Sequence, residues 1–306
     1  MRHIPVLTNE VVEGLHLKSG MDVIDCTLGD AGHAEKILEK IGPNGRLLGI
    51  DADAEAILRS KQYLYNFGDR VTCVCGNFVN IAEIARASGF TNAQGILADL
   101  GWSTPQFEER GRGFSFTHPE EVLDMRYGAK AADEYETATA AELLRELPED
   151  EIETILRVYG EERFSKEIAH EIATVRTEKE IKTVGDLVEI VLVVYRRKLK
   201  STKEIPWVGG THPATQVFQA LRIVVNKELS VLEESLPQMV DLLAPGGRLA
   251  VITFHSLEDR IVKHFFKDLQ NKIINIITKK PIIATEEELK NNPRARSAKL
   301  RIIEKL

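Results

Sequence analysis

The sequence of 306 residues is poor in three things, and each narrows what the chain is. It holds three cysteines, Cys26, Cys73 and Cys75. So few, and an odd number, argue against a disulfide framework and fit a reduced, cytoplasmic protein; no spacing among them resembles a zinc site. Cys73 and Cys75 lie in an apolar run and read as buried strand thiols. Second, no apolar run approaches the ~18 residues of a membrane span. The opening MRHIPVLTNEVVEGL lacks the apolar stretch of a secretory signal and is too acidic for a transit peptide. Third, there is no surplus of positive charge. The 40 Lys and Arg against 47 Asp and Glu leave a net charge of -7, which argues against loose, charge-driven binding of nucleic acid. The distribution is uneven, however. Residues 260–306 carry 12 basic and 5 acidic side chains, residues 195–203 (YRRKLKSTK) form a second basic run, and residues 131–162 are strongly acidic. Such separation permits one basic surface on an acidic protein, although for either run alone a solvated helix face is the simpler reading.

What is present organises around residues 21–51, MDVIDCTLGDAGHAEKILEKIGPNGRLLGID. Met21 to Asp25 is a short apolar run suited to a buried parallel strand. Gly29 and Gly32 allow a sharp turn and close approach of a ligand to the backbone. Ala34, Ile37, Leu38 and Ile41 make one apolar helix face. Gly42-Pro43-Asn44-Gly45 stops that helix, and Arg46 to Ile50 makes a second strand. Asp51 ends it, where an acid accepts hydrogen bonds from the hydroxyls of an adenosine ribose. The same unit serves NAD and S-adenosylmethionine. The dinucleotide fingerprint G-x-G-x-x-G is absent, and Asp30 inside the turn is expected to repel a pyrophosphate. Both features favour adenosylmethionine over NAD, and a purely structural βαβ unit stays open.

The α/β pattern continues through a strand at residues 71–75, with Phe78 beside its tip, where it either packs on an adenine or closes the core. A fourth strand, residues 94–100, ends in Asp99-Leu100-Gly101-Trp102-Ser103-Thr104-Pro105-Gln106. Ligands of open α/β sheets gather at such carboxyl ends. Residues 107–211 then offer no convincing strand and three amphipathic helices, which predicts a helical insertion. From His212 one helical spacing runs through Leu221, Val225, Leu229, Leu232 and Leu236. Residues 248–254 make a fifth strand, a capping box at Ser256–Asp259 opens a helix, and two last strands follow near 272–278 and 299–304. Five parallel strands plus a terminal pair match the class I, Rossmann-like methyltransferase sheet better than that of dehydrogenases. The expected fold is α/β, a mostly parallel seven-stranded sheet with an inserted α-helical domain. Residues 1–106 and 212–306 form the methyltransferase domain and 107–211 the insertion.

The blocks HIPVL, CTLGDAGH, LLGIDADAEAI, GILADLGWSTPQ, RGFSF, LDMR, YGEERF, HPATQVFQALRIVVNKEL, APGGRLAVITFHSLEDRIVK and NPRARSAKLRIIEK follow one another along nearly the whole chain. In these the sequence resembles the bacterial RsmH (MraW) family, methyltransferases of the cytosine exocyclic amine (N4) in 16S ribosomal RNA. The resemblance implies S-adenosylmethionine as cofactor, small-subunit ribosomal RNA as partner, and no membrane. It places cofactor contacts on Ala31, Gly32, His33, Asp51, Phe78, Asp99 and Gln106. Two departures stand out: the family usually has Gly-Gly-His where Ala31-Gly32-His33 stands, and Val-Ser-Ser where Trp102-Ser103-Thr104 stands. For the reaction itself, Asp99, Ser103 and His255 are the candidates, with a helix-capping role as the alternative for His255. Trp102, Arg112, Arg126, Arg294 and Arg296 are candidate RNA contacts. A sulfonium carries its own electrophile, so no metal is expected. An NAD-dependent oxidoreductase, a non-catalytic assembly factor and a methyltransferase of protein or DNA are the competing classes. The insertion is expected to serve substrate recognition, and whether it closes over RNA or builds a homodimer stays open.

Overall fold

A computed structural model describes residues 4–101, 111–127 and 137–306. They divide into two compact units, one of residues 4–101 and 229–306, the other of 111–127 and 137–228.

The first unit is built on a seven-stranded sheet. Its strands are β1 (Asp22–Asp25), β2 (Arg46–Asp51), β3 (Val71–Cys75), β4 (Ala93–Asp99), β5 (Leu243–Thr253), β6 (Ile274–Ile276) and β7 (Lys299–Lys305). Their spatial order is β3-β2-β1-β4-β5-β7-β6. Only β7 runs against its neighbours β5 and β6. Alternating side chains of buried strands must be apolar on both faces. Ile24, Leu48, Ile96 and Val251 accordingly enter one core cluster, while Val23, Leu47, Leu97 and Ala250 enter another. Helices α1 (Thr8–Gly14), α2 (Gly32–Ile41) and α3 (Ala54–Tyr63) supply residues to the second cluster, and α4 (Ile81–Ala87) to the first. The strand expectations hold to within a few residues. One does not: Cys75 is exposed and Cys73 only half-buried, because β3 is the edge of the sheet rather than an interior strand.

The second unit is helical: α5 (Ala140–Glu146), α6 (Glu149–Gly160), α7 (Ser165–Val175), α8 (Val184–Leu199) and α9 (Thr215–Val225). Helix α5 has no counterpart among the three helices read from the sequence; it is seven residues long and opens with a capping box between Thr139 and Glu142. The unit runs on to Glu228 rather than ending at residue 211. Gln219 of α9 donates to the Tyr159 carbonyl at the end of α6, which ties α9 into the helical packing. The single helix expected from Leu221 to Leu236 is two, α9 and α10 (Glu228–Leu242). Apolar spacing continues across the break, so periodicity does not reveal it. Asn226 spends its side chain on the Met125 carbonyl and the Tyr127 amide, and Lys227 turns left-handed at φ 51°.

The first unit closes with α11 (Ser256–Leu269) and the short α12 (Glu286–Asn291).

Candidate functional site

β2, β1 and β4 lie side by side, and each ends in an acid: Asp51, Asp25 and Asp99. Parallel strands bring their carboxyl ends to one edge of the sheet, so three carboxylates gather there.

The turn after β1 is held by the end of β2. Gly29 takes φ 51°, a conformation only glycine adopts without strain. Its amide donates to Asp51 Oδ2 at 2.8 Å, and the Asp53 amide donates to Asp51 Oδ1 at 2.8 Å. Ser60 on α3 donates to the Gly29 carbonyl at 2.6 Å. Ala31 is also left-handed, at φ 60°, as the residue preceding α2. That conformation is the physical reason glycine suits the position, and alanine stands there with strain of about 1 kcal/mol. Gly32 opens α2 where a Cβ would lie 2.9 Å from the Pro5 ring, so the first residues of the chain pack on the turn.

His33 follows in the first turn of α2, 6% exposed. Its Nε2 lies 3.4 Å from Asp99 Oδ2, near enough for charge to matter but not aligned for a hydrogen bond. Neither ring nitrogen of His33, nor Asp99 Oδ1, has a hydrogen-bond partner among the described residues, although all three are buried. Such atoms are rare in proteins and call for a polar group from elsewhere. The Asp99 amide is fixed by the Thr27 hydroxyl at 2.8 Å.

Asp25 completes the cluster. It is buried, and burial pushes its carboxyl up to about 6, against the lowering by His33 and by the Thr27 amide that donates to it. From the sequence alone Asp25 is only the end of a strand. The available signal was an acid closing an apolar run immediately before a glycine turn, the same signal that singled out Asp51.

Asp30 needs a correction. Arg59 donates to it at 2.8 Å and it is buried, so its charge is compensated and does not by itself repel a pyrophosphate. Phe78 begins a short 3-10 turn after β3 and is half-buried against the core, capped in place by Asn77. The capping box of α11 is also shifted by one residue. His255, not Ser256, is the N-cap, and its partner is Glu258, not Asp259. Asp259 is instead held by both nitrogens of an Arg301 fork, at 2.7 and 3.1 Å.

Of the cations proposed to meet RNA, two are engaged inside the helical unit. Arg112 donates to the Arg126 and Tyr127 carbonyls, and Arg126 forks onto Asp124 at 2.6 and 3.0 Å. Both are tied to acceptors of the chain itself, with Arg126 still 34% exposed. In the basic run at the end of α8, Arg196, Arg197 and Lys198 pair with Glu189, Glu171 and Glu167, which is the solvated-face reading. Arg294 and Arg296 are exposed on a 3-10 turn, residues 293–297. Trp102, Ser103 and Gln106 lie outside the described residues. No described helix is long and apolar enough to cross a membrane.

A sheet of this order, with only its last strand reversed and with polar groups gathered at the tips of β1, β2 and β4, defines a Rossmann-like class I methyltransferase. The chain belongs to the MraW methylase family, whose model matches residues 1–306. It is therefore an S-adenosylmethionine-dependent methyltransferase. It is 41% identical over 320 aligned residues to the Ribosomal RNA small subunit methyltransferase H of Brevibacillus brevis, covering 99% of this chain and 98% of that one. It is 43% identical to the protein of the same name from Symbiobacterium thermophilum, covering 99% and 96%.

Proposed function

We propose that this chain transfers a methyl group from S-adenosylmethionine to the exocyclic N4 of a cytidine in 16S ribosomal RNA of the small ribosomal subunit. The names of the relatives support the substrate. The buried atoms of His33 and Asp99 that have no hydrogen-bond partner among the described residues support the place of the cofactor. Its amino-acid end carries an ammonium and a carboxylate: the Asp99 carboxylate can accept from the former, and a ring N–H of His33 can donate to the latter.

The remaining contacts follow from the same edge of the sheet. A carboxylate accepts about four hydrogen bonds, so Asp51 serves a ribose while holding the Gly29 and Asp53 amides. Ala31 and Gly32 bring backbone close to the ligand, Phe78 covers the adenine side, and Gln106 adds a contact. When bound, adenosylmethionine supplies an electrophilic methyl on a sulfonium. The chain's own work is to hold a poor nucleophile, since the lone pair of a cytosine amine is delocalised into the ring. Asp99 and the carbonyls of Leu100 and Gly101 accept its N–H groups and favour a pyramidal nitrogen, and the Asp99 carboxylate receives the proton released on transfer. Ser103 orients the base. His255 acts from the cap of α11, where it shapes the end of β5. Placing the amine in line at ~3 Å from the methyl removes most of the entropic part of the barrier. The target base must first leave any stack. Arg294, Arg296 and Trp102 meet the RNA, and the helical unit contributes to substrate recognition.

The test is transfer from labelled adenosylmethionine to small-subunit particles and to bare 16S RNA, with the nucleosides digested and identified. Label on the exocyclic amine of cytidine is the expected result. Bound cofactor with no label in either RNA would refute the substrate.

A further inference from the structure

A cleft of about 250 Å³ lies within the first unit beside the end of β5. Phe254, Ala284 and Leu289 form apolar walls, Ile283 stands at its rim, and Arg296 and Lys299 supply positive charge. None of the residues assigned to the cofactor lines it. It is nevertheless close to the reacting edge. Phe254 also stands against Gly101, where a Cβ would lie 3.3 Å from the ring, and Gly101 is two residues beyond Asp99. One side chain thus borders both the tip of β4 and the cleft.

We propose that this cleft receives the base of a nucleotide adjacent to the target cytidine in the RNA chain, with Arg296 and Lys299 on its phosphate. The inference rests on the reading of the chain as a ribosomal RNA methyltransferase. Three observations carry it. The first is size: at about 250 Å³ the cleft lies just below the ~300–1,000 Å³ of pockets that take drug-sized ligands, which suits a single flat base. The second is the lining. Phe254, Ala284 and Leu289 pack against the core cluster of one sheet face, so the walls are fixed, while Ile283 is 63% exposed. An aromatic wall beside cations, here Phe254 next to Arg296 and Lys299, is how single-stranded nucleic acid is held, by stacking and phosphate contact together. The third is charge. Arg296 is exposed and makes no ion pair among the described residues, and Lys299 adds a second cation that shares Asp259, at 3.8 Å, with Arg301. A cytidine extruded to the tip of β4 leaves its neighbour in the chain close to the Phe254 wall, and the cleft gives that neighbour a place.

The experiment uses the full chain, labelled adenosylmethionine and small-subunit particles. Ala284→Phe fills the cleft, Arg296→Ala removes the cation, and Arg296→Lys restores it. Both of the first two variants are expected to raise the KM for particles, by about tenfold for Ala284→Phe. Arg296→Lys recovers most of the loss, and Arg296→Ala makes binding less sensitive to salt. Cofactor affinity and melting temperature stay those of the unaltered chain. A KM within twofold for both variants, with the unaltered chain methylating normally, would overturn the inference and leave the function standing. If Ala284→Phe does not fold, the Arg296 pair decides alone. Failure of the unaltered chain to methylate any RNA, with cofactor bound, would overturn the function and this inference with it. Loss of affinity for an acidic peptide but not for particles would reassign the cleft to a protein partner and overturn the proposal.

Discussion

The two units treat buried polar groups differently. In the helical unit they answer one another. The Tyr195 hydroxyl lies 2.9 Å from both oxygens of Glu162, and Arg222 forks onto Glu228 at 2.8 and 2.9 Å, with both side chains buried or nearly so. In the sheet unit several do so as well, but others do not. Every buried side-chain nitrogen or oxygen without a hydrogen-bond partner among the described residues lies there, on His33, Arg59, Asp99 and His255. An unmade hydrogen bond on a buried group costs about 1–3 kcal/mol, and folding gives no reason to tolerate it. Arg59 already pairs with Asp30 and His255 caps α11, so their extra atoms are minor. His33 and Asp99 face each other with three such atoms between them. A satisfied pair marks architecture, and an unsatisfied one marks a place for a ligand.

The sharpest way to break this comparison is at Asp51. Asp51→Ala removes the acceptor of the Gly29 and Asp53 amides and of the proposed ribose hydroxyls. Cofactor affinity should fall about 100-fold or more, as expected for losing two charge-assisted hydrogen bonds; titration calorimetry reads it. Tyr195→Phe is the counterpart in the helical unit. It strips a buried carboxylate, already raised by burial, of a donor, so denaturant unfolding should show a loss of about 1–3 kcal/mol with cofactor affinity unchanged. Equal effects of the two on affinity would erase the distinction between architecture and site.

Asp25 sharpens the comparison through pH. Its carboxyl titrates near 6 in the folded chain, against 3.8 ordinarily. A raised carboxyl binds more protons folded than unfolded, so it lowers stability as pH rises from about 4 to 6, and the penalty is complete above that window. Asp25→Asn keeps an acceptor for the Thr27 amide and removes the charge. It should melt higher than the unaltered chain at pH 8, by the equivalent of about 1–3 kcal/mol, and the gap should close towards pH 4. A gap independent of pH would show that the carboxyl is ionised without penalty. The smallest effect is expected at Ala31. Ala31→Gly relieves a left-handed alanine and should stabilise by up to about 0.6 kcal/mol once the ~0.4–1 kcal/mol entropy of glycine is subtracted from a strain of about 1; a lowered melting temperature would contradict this strain.

Much of the sheet unit was legible because its signals are local. Apolar runs, glycine turns and terminal acids fixed β1, β2 and β4 and pointed to Asp51 and Asp99. What stayed hidden depends on contacts distant in sequence. Arg59 silences Asp30 from another helix. The edge position that exposes Cys75 follows from strand order, not from β3 itself. The break between α9 and α10 is made by Asn226 reaching Met125 and Tyr127, about a hundred residues away. The cap of α11 was missed for a chemical reason: Ser256 has the stronger capping preference, yet His255 takes the position because Glu258 reaches back to the His255 and Phe254 amides. For Arg112 and Arg126 the sequence shows the charge and not the carbonyls and carboxylate to which they donate.

The most direct measurement is titration of S-adenosylmethionine into the unaltered chain, Asp99→Asn and Tyr195→Phe. If the unpartnered groups at the strand tips are the cofactor site, Asp99→Asn loses affinity by about tenfold or more, while Tyr195→Phe binds as the unaltered chain does. Equal affinity for all three would contradict the assignment of the site.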